Sequence, residues 1–274
     1  MRLLVIVLAA FAAIGLAASG LFVAHDIHAV DIANRLAGPT ADHPLGTDHL
    51  GRDLLARLRA GGLNLALVAV IAAAVSVGLG GVVGMAAALA GGAAQAALRR
   101  LADLVQILPH IVVAALVAVA FGLTPIVAGV ALGLIGAGAY AHLVERLTGS
   151  VLRAPHVLAA RAMGGSRLFV LRRHVLPRIA PTVGAYAGTD LGAAVNHYAA
   201  FSFIGLGADS GAPDWGSMIY DYRLYAFDRP LLVLAPIALL ALSILALHLA
   251  LDPLERQGPA RRRATFGFLR RSAS

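Results

Sequence analysis

Long apolar segments alternate with short polar segments along most of the chain. The first is an almost uninterrupted apolar run at residues 3–24. Because about 20 residues in a helix cross the hydrocarbon core of a bilayer, a run of this length predicts a membrane-spanning helix. Five further runs have similar length and lie at 63–90, 104–123, 125–142, 182–203 and 231–251. The pattern therefore predicts an all-α membrane protein with six transmembrane helices.

The first run also has features of a secretory signal peptide, because Ala17, Ala18 and Ser19 resemble a cleavage site. Its apolar part is longer than the apolar region of a typical signal peptide. We therefore interpret residues 3–24 as an uncleaved first span. The chain then divides into residues 1–62, with the first span and an extracytoplasmic loop, a transmembrane core at 63–251 with a loop at 143–181, and a basic tail at 252–274.

Composition agrees with a membrane protein, since 59% of the residues are hydrophobic, 13% are charged and the mean hydropathy is +0.83. The formal charge of +8 comes from arginine, because the chain has no lysine. In a soluble protein this charge would suggest nucleic-acid binding, but here cytoplasmic arginines of a membrane protein explain it better. The absence of cysteine excludes disulfides, thiolate catalysis and cysteine-ligated metals.

Most arginines fall on one side of the predicted membrane when the amino terminus is placed in the cytoplasm. This orientation predicts that both termini are cytoplasmic, together with the basic segment 155–177. Pro155 suits the first turn of a helix there, and Gly164 and Gly165 suit its end. The residues alone allow two interpretations, a helix that docks on another protein or a solvated basic loop.

Three polar residues, Asp190, Asn196 and His197, interrupt the fifth predicted span. An aspartate in mid-membrane costs about 2.5–3.5 kcal/mol, so it is expected to face the helix bundle or a cavity. Asp190 and His197 are seven residues apart and share a helix face. They are candidates for lining a polar pathway or for hydrogen bonding between helices. Gln106 and His110, in the third span, are interpreted as packing residues.

The segment that contains Ala159, Ala160, Gly164, Leu176 and Pro177 resembles the cytoplasmic "EAA" loop of permease subunits in binding-protein-dependent ABC importers. Leu158 occupies the position at which many members have glutamate. Two further motifs resemble the C-type permeases of dipeptide, oligopeptide and nickel importers. They are HPLGTDHLGRDLLAR at 43–57 and FSFIGLGADSGAPDWGSM at 201–218, and LALDPLER matches the usual family ending. Tyr198 stands where relatives often have glutamate.

This resemblance implies a type I ABC importer permease fold with a cytoplasmic coupling helix between spans 4 and 5. The implied residues for coupling to the ATPase are Ala159, Ala160, Arg161, Gly164, Gly165, Leu176 and Pro177. The implied partners are a second homologous permease, two ATP-binding subunits and a periplasmic or lipid-anchored solute-binding protein. The implied location is the bacterial inner membrane, where the chain is a multi-pass protein in contact with lipid.

The resemblance also implies that the chain is not an enzyme. A phosphate-binding loop requires lysine, and a chain without lysine cannot supply one. ATP and Mg²⁺ would therefore bind to the separate ATPase subunits, and we expect no cofactor on this chain and no nucleic-acid partner.

The resemblance also implies contacts with the solute-binding protein in the loop after the fifth span, at Asp214, Trp215 and Tyr220. An aromatic belt at the membrane boundary is the other explanation of its aromatic residues. We predict no metal site, because the carboxylates and the ten scattered histidines lack a compelling ligand spacing. The expected solutes are di- and oligopeptides, with nickel or a metal chelate as the alternative. Two other classes are a proton-coupled transporter using Asp190 and an intramembrane serine protease using Ser202.

Overall fold

The computed structural model describes residues 26–206 and 213–256, with side chains as far as Leu247. The predicted first span at 3–24 lies outside the described residues, as does the tail beyond residue 256. Within the described ranges the regular elements are helices, with one isolated bridge between Thr47 and Asp53. The prediction of an all-α protein is confirmed for this part of the chain.

Ten α-helices are present in the described ranges. In chain order they are α1 (Leu54–Val75), α2 (Gly81–Ala90), α3 (Gly92–Ile107), α4 (His110–Phe121), α5 (Pro125–Leu152), α6 (Pro155–Ala162), α7 (Arg167–Val170), α8 (Leu176–Phe203), α9 (Trp215–Tyr222) and α10 (Pro230–Arg256). Two π-helical segments, Ser76–Gly80 and Leu171–Val175, connect α1 to α2 and α7 to α8. Short 3-10 turns occur at Ile32–Asn34 and Arg223–Tyr225.

Three stretches in the described ranges are long and apolar enough to cross a membrane, namely Leu54–Ala90, Pro125–Leu152 and Pro230–Leu247. The pair α3 and α4 counts as a fourth if it is one span with a bend of 80°. Helix α8 is as long as α5, at 28 residues, but it is not among these apolar stretches. Its polar residues explain the difference, and α8 occupies the position of the predicted fifth span.

The third predicted span, 104–123, is wrong as a single straight helix. Helix α3 ends at Ile107, and Leu108 has an extended backbone with φ −73° and ψ 125°. Pro109 causes this break, because a proline disfavours the helical conformation of the residue before it. Helix α4 then begins at His110 in a new direction.

Two other predicted boundaries are also corrected. Helix α1 begins nine residues before the predicted start at 63, because the Asp53 carboxylate caps it by accepting the Ala56 N–H at 2.6 Å. Helix α5 continues ten residues beyond the predicted end at 142. The predicted loop 143–181 is therefore mostly helical, and only short connections separate α5, α6, α7 and α8.

Helix α5 lies at the centre of the described bundle and contacts α1, α2, α3, α4 and α8. Glycines make the approach of α1 close. A Cβ atom on Gly129 would lie 2.8 Å from the Cβ of Ile71, and one on Gly133 would lie 2.6 Å from the Cβ of Val75. Both distances are too short for a side chain, so the small residues allow the backbone packing expected between helices in lipid.

Candidate functional site

Helix α6 has the start and the stop that its sequence predicts. Pro155 lies in its first turn, and Gly164 has φ +87°, a left-handed conformation that glycine adopts without strain. The Gly165 N–H donates to the Ala160 carbonyl at 3.0 Å, which closes the end of the helix. A Cβ on Gly164 would meet no atom within 4 Å, so this glycine is required by its backbone angle and not by crowding within the chain.

The two faces of α6 differ in chemistry. Val157 is fully buried and packs with Val144 and Val170 in an apolar cluster between α5 and the following turns. Ala160 is also buried and lies on the inner face of α6. Leu158 of α6 and Met163, which follows the helix, are 53% and 82% exposed. The exposed face of α6 therefore combines apolar side chains with His156 and Arg161, and a patch of exposed apolar side chains is typical of an interaction surface.

Leu176 and Pro177 form the first turn of α8, which follows the π-helical segment Leu171–Val175 without a break. Exposed arginines surround this turn and α6, at Arg161, Arg167, Arg172, Arg173 and Arg178. The exposed face of α6 therefore lies within a basic rim.

Asp190 lies inside the bundle and is half-buried. A Cβ on Gly136 of α5 would lie 3.3 and 3.4 Å from its two carboxylate oxygens, and Ser76 is its hydroxyl neighbour. The Ser76 hydroxyl also donates to the Gly133 carbonyl at 3.1 Å. Asp190 therefore faces α5 and the first residue of the π-helical segment Ser76–Gly80, as expected for a costly charge in a membrane.

His197 lies against His110 across the break between α3 and α4. The His110 Nδ1 and His197 Nε2 atoms are 3.4 Å apart, and the ring centroids are 5.0 Å apart with nearly perpendicular planes. His110 is exposed and His197 is half-buried, and Asn196 lies on an exposed part of α8. The structure thus brings together His197 and a residue that the sequence had assigned to packing.

The loop residues before α9 are buried, which contradicts a direct role for two predicted contacts with the binding protein. Asp214 and Trp215 are 0% and 2% exposed. The Asp214 carboxylate caps α9 by accepting the Gly216 N–H at 2.9 Å, and the Trp215 indole donates to the Leu58 carbonyl at 2.8 Å. Tyr220, the third predicted contact, is half-buried and remains a candidate.

Residues of the motif at 43–57 meet Tyr222, which follows the motif at 201–218, in one cluster that we call the outer clamp and define as Asp48, Arg52, Arg57, Trp215 and Tyr222. The Arg52 Nε atom is 2.7 Å from the Asp48 carboxylate. Tyr222 donates to the same carboxylate at 3.1 Å and accepts from Arg57 at 3.3 Å. Tyr222 is therefore a core residue and not part of an aromatic belt.

The clamp controls the ionisation of its acid. Burial alone would raise the pKa of Asp48, but the N–H groups of Leu50 and Arg52 and the Arg52 guanidinium outweigh it and hold that pKa below its ordinary value. Burial lowers the pKa of the neighbouring His49, whose ring stacks on Tyr225. Burial raises the pKa of Asp214, although hydrogen bonds from Ser217 act against this shift.

The motif at 43–57 was recognised, but it gave no reason to pair Asp48 with Tyr222, which is 174 residues away. Within the described ranges, groups of three or more His, Asp or Glu residues arranged to hold a metal do not occur. The pair of His110 and His197 is the smaller arrangement that sequence reasoning missed.

Comparison with known proteins gives a consistent result. Residues 80–257 match the family described as "Binding-protein-dependent transport system inner membrane component". The nickel transport system permease protein NikC of Escherichia coli (strain K12) is 35% identical over 256 residues, which cover 92% of this chain and 91% of that protein. The probable D,D-dipeptide transport system permease protein DdpC of the same strain is 31% identical over 205 residues, or 75% and 69% of the two chains.

A solved structure shares the fold. A chain of the MetNI methionine ABC transporter in an inward-facing conformation superposes with a TM-score of 0.59 at 20% identity, covering 73% of this chain and 95% of that chain. The arrangement of helices around α5 is therefore the fold of a type I ABC importer permease, as expected from the sequence.

Proposed function

Because the chain belongs to the family of binding-protein-dependent transport system inner membrane components, we propose that it is the permease subunit of an ATP-driven importer and forms half of a translocation pathway. The observation that carries this proposal is α6, a short helix with a buried inner face and an exposed outer face. Such a helix is suited to receive a partner and to transmit its movement to α5 and α8.

The proposed solute is a small peptide or nickel. The relative that matches 92% of the chain is a nickel permease, and a D,D-dipeptide permease matches 75%. The pair of imidazoles at His110 and His197 favours a metal, because imidazole suits nickel and related cations. Asp190 and Asn196 are the other candidates for lining the pathway.

The proposed contact with the ATPase is the exposed face of α6 and its rim. Ala159, Arg161 and Gly164 lie at the surface, whereas Ala160 and Gly165 shape the helix from within. Leu176 and Pro177 start α8 and so connect this contact to the bundle. Because Leu158 replaces the usual glutamate and is exposed, the contact at this position is apolar and not a salt bridge.

The proposed topology has six spans with both termini in the cytoplasm. The support is the concentration of arginine at 153–178 and beyond residue 256, since cations are retained in the cytoplasm. In this orientation α6 faces the cytoplasm, and the outer clamp lies outside the membrane on the opposite side.

The proposed assembly contains a second homologous permease, two ATP-binding subunits and a solute-binding protein. Exposed apolar side chains on α3 and α4 offer a surface for the second permease or for lipid, and include Leu104, Ile107, Ile111, Leu116 and Val119. ATP and Mg²⁺ would bind to the ATPase subunits, because this chain has no lysine for a phosphate-binding loop. Tyr220 is the proposed contact with the solute-binding protein.

The proposed mechanism is alternating access. ATP binding brings the ATPase subunits together, α6 passes this movement to α5 and α8, and the bundle opens outward to receive the solute. The buried contacts of Val157 with the α5 side chains are the mechanical link within this chain.

The test uses the complete importer in proteoliposomes with its solute-binding protein. We expect uptake of Ni²⁺ or of a dipeptide that requires ATP inside the cytoplasmic compartment. Gly164→Val is expected to reduce uptake at least about tenfold, because a β-branched residue at φ +87° strains the end of α6 by roughly 1–2 kcal/mol and adds bulk to the contact surface.

Gly78→Ala is the control, because a Cβ on Gly78 would meet no atom within 4 Å. Uptake driven by a proton gradient without ATPase subunits would refute the proposal and support a proton-coupled transporter that uses Asp190. Unchanged uptake in Gly164→Val would refute only the proposed role of α6, and not the proposal that the chain is an importer permease.

A further inference from the structure

Two histidines from different helices meet inside the part of the chain that would lie in the membrane. His110 is the first residue of α4, just after the break at Leu108 and Pro109, and His197 lies in the second half of α8. Their Nδ1 and Nε2 atoms are 3.4 Å apart. We propose that they form a two-imidazole site through which a divalent transition-metal cation passes, and this inference rests on the proposed function as an importer.

His110 is exposed on the described surface of the chain, and the His197 ring also lies near Phe201. An imidazole is costly in hydrocarbon, so an exposed His110 is expected to face water or protein and not lipid. Its helix starts at a break, and transporters often form solute sites where helices are interrupted near the middle of the membrane.

The geometry suits one shared cation. A metal bound to histidine lies about 2.0–2.1 Å from the ring nitrogen. Two nitrogens 3.4 Å apart can both meet this distance with an N–metal–N angle of about 110–115°, which is near tetrahedral. Each ring offers one lone pair to the metal when its other nitrogen carries the proton. Without metal, the same two atoms are placed to share one hydrogen bond.

The pair provides only two metal ligands, which is expected of a site through which a cation passes without being retained. In the described ranges, no third His, Asp or Glu side chain joins it to make a group that could enclose a metal. The remaining positions around the cation are then left to water or to a chelating solute. A site in a pathway must bind strongly enough to receive the ion and weakly enough to release it.

A carboxylate, which is opposite in charge to the cation, lies earlier in α8. Asp190 is seven residues before His197, or about 10 Å along the helix axis, and shares its face. In the proposed orientation Asp190 lies on the cytoplasmic side of the pair. A cation released by the imidazoles would therefore meet a carboxylate on its way inward, whereas a neutral peptide would gain little from this order of groups.

The first experiment needs no variant. The wild-type importer is treated with diethyl pyrocarbonate, which modifies accessible imidazoles, with and without Ni²⁺, and the modified peptides are measured by mass spectrometry. We expect Ni²⁺ to protect His110 and His197 together, with Mg²⁺ giving no protection. Equal modification of both residues with and without Ni²⁺ would overturn the proposal and leave a hydrogen bond between two helices.

The second experiment measures Ni²⁺ binding to the complete importer by calorimetry. His110→Asn and His197→Asn are each expected to weaken one class of site by about tenfold or more, and the double variant by little more than either single variant, because the two ligands act as a unit. His28→Asn is the control, since His28 is exposed in the extracytoplasmic segment. Additive losses, or a loss with His28→Asn alone, would contradict the shared site.

The two proposals fail in different ways. If wild-type proteoliposomes import neither Ni²⁺ nor a dipeptide with ATP, the function as an importer is wrong. If they import a dipeptide with ATP but Ni²⁺ does not protect the two histidines, only the metal site is wrong.

Discussion

Val157→Ala removes two methyl groups from the inner face of α6 and is predicted to weaken the coupling between the movement of α6 and that of the bundle. Val157 is fully buried in the cluster with Val144 and Val170. Val157→Ala removes about 1.6 kcal/mol of transfer free energy, at about 0.8 kcal/mol for each buried carbon. The cavity adds to this loss, so the total for docking of α6 is about 2–3 kcal/mol. A loss of 1.4 kcal/mol is a factor of ten in an equilibrium, so the undocked population of α6 rises roughly tenfold or more.

The assay is amide hydrogen exchange of α6 in the assembled importer, together with the number of solutes imported per ATP hydrolysed. Leu158→Ala is the matched control, because Leu158 is the adjacent residue but is 53% exposed. Val157→Ala is expected to speed amide exchange in α6 and to lower the number of solutes imported per ATP hydrolysed. Leu158→Ala is expected to weaken binding of the ATPase without removing a buried contact of α6 within this chain. Unchanged exchange and an unchanged ratio in Val157→Ala would refute the role of this cluster as the mechanical link.

Two further predictions concern the bundle and the outer clamp. Gly133→Ala is expected to destabilise the bundle by about 1–3 kcal/mol, because its Cβ would lie 2.6 Å from the Cβ of Val75. Gly81→Ala is the control and is expected to leave the melting temperature unchanged, because its Cβ would have no atom within 4 Å. Equal melting temperatures for the two variants would contradict the close packing at Gly133. The pKa of Asp48 is lower in the folded chain than its value of about 4 in the unfolded chain. The ionised carboxylate therefore stabilises the fold above about pH 4, and this stabilisation is lost as the pH falls through the folded-state pKa. Asp48→Asn should remove this part of the acid sensitivity, as measured by unfolding between about pH 5 and pH 2, and an unchanged acid transition would argue against the clamp.

The membrane-like helices and the short helix α6 were predictable from local patterns. Apolar length indicated α5 and α10, and Pro155 with Gly164 indicated the ends of α6, because these residues act on the backbone close to them. The break at Leu108 was missed although Pro109 marked it, since a continuous apolar pattern was given more weight than a single proline. The extension of α5 to Leu152 was missed because polar residues in a helix outside lipid do not form an apolar run.

The site was less predictable, because its contacts join distant parts of the chain. Asp190 was identified since a carboxylate within a span is unusual by itself. His110 gained its importance only from its distance to His197 on another helix. Asp214 and Trp215 were expected at the surface from the family resemblance of their loop, but an indole packed on Gly61 and Gly62 is an interaction that sequence spacing does not reveal.

The outer clamp has a consequence for the order in which the chain is assembled. Asp48 and Tyr222 are 174 residues apart, and Trp215 is 157 residues from the Leu58 carbonyl that it binds. At about 5–20 residues per second of synthesis, Asp48 waits roughly 9–35 s for its tyrosine to be made. During that interval Asp48 has its local partner Arg52 but not the Tyr222 hydroxyl. The clamp therefore closes only after Tyr222 of α9 has been translated, so that a ribosome stalled before residue 222 leaves every earlier helix made and the clamp still open.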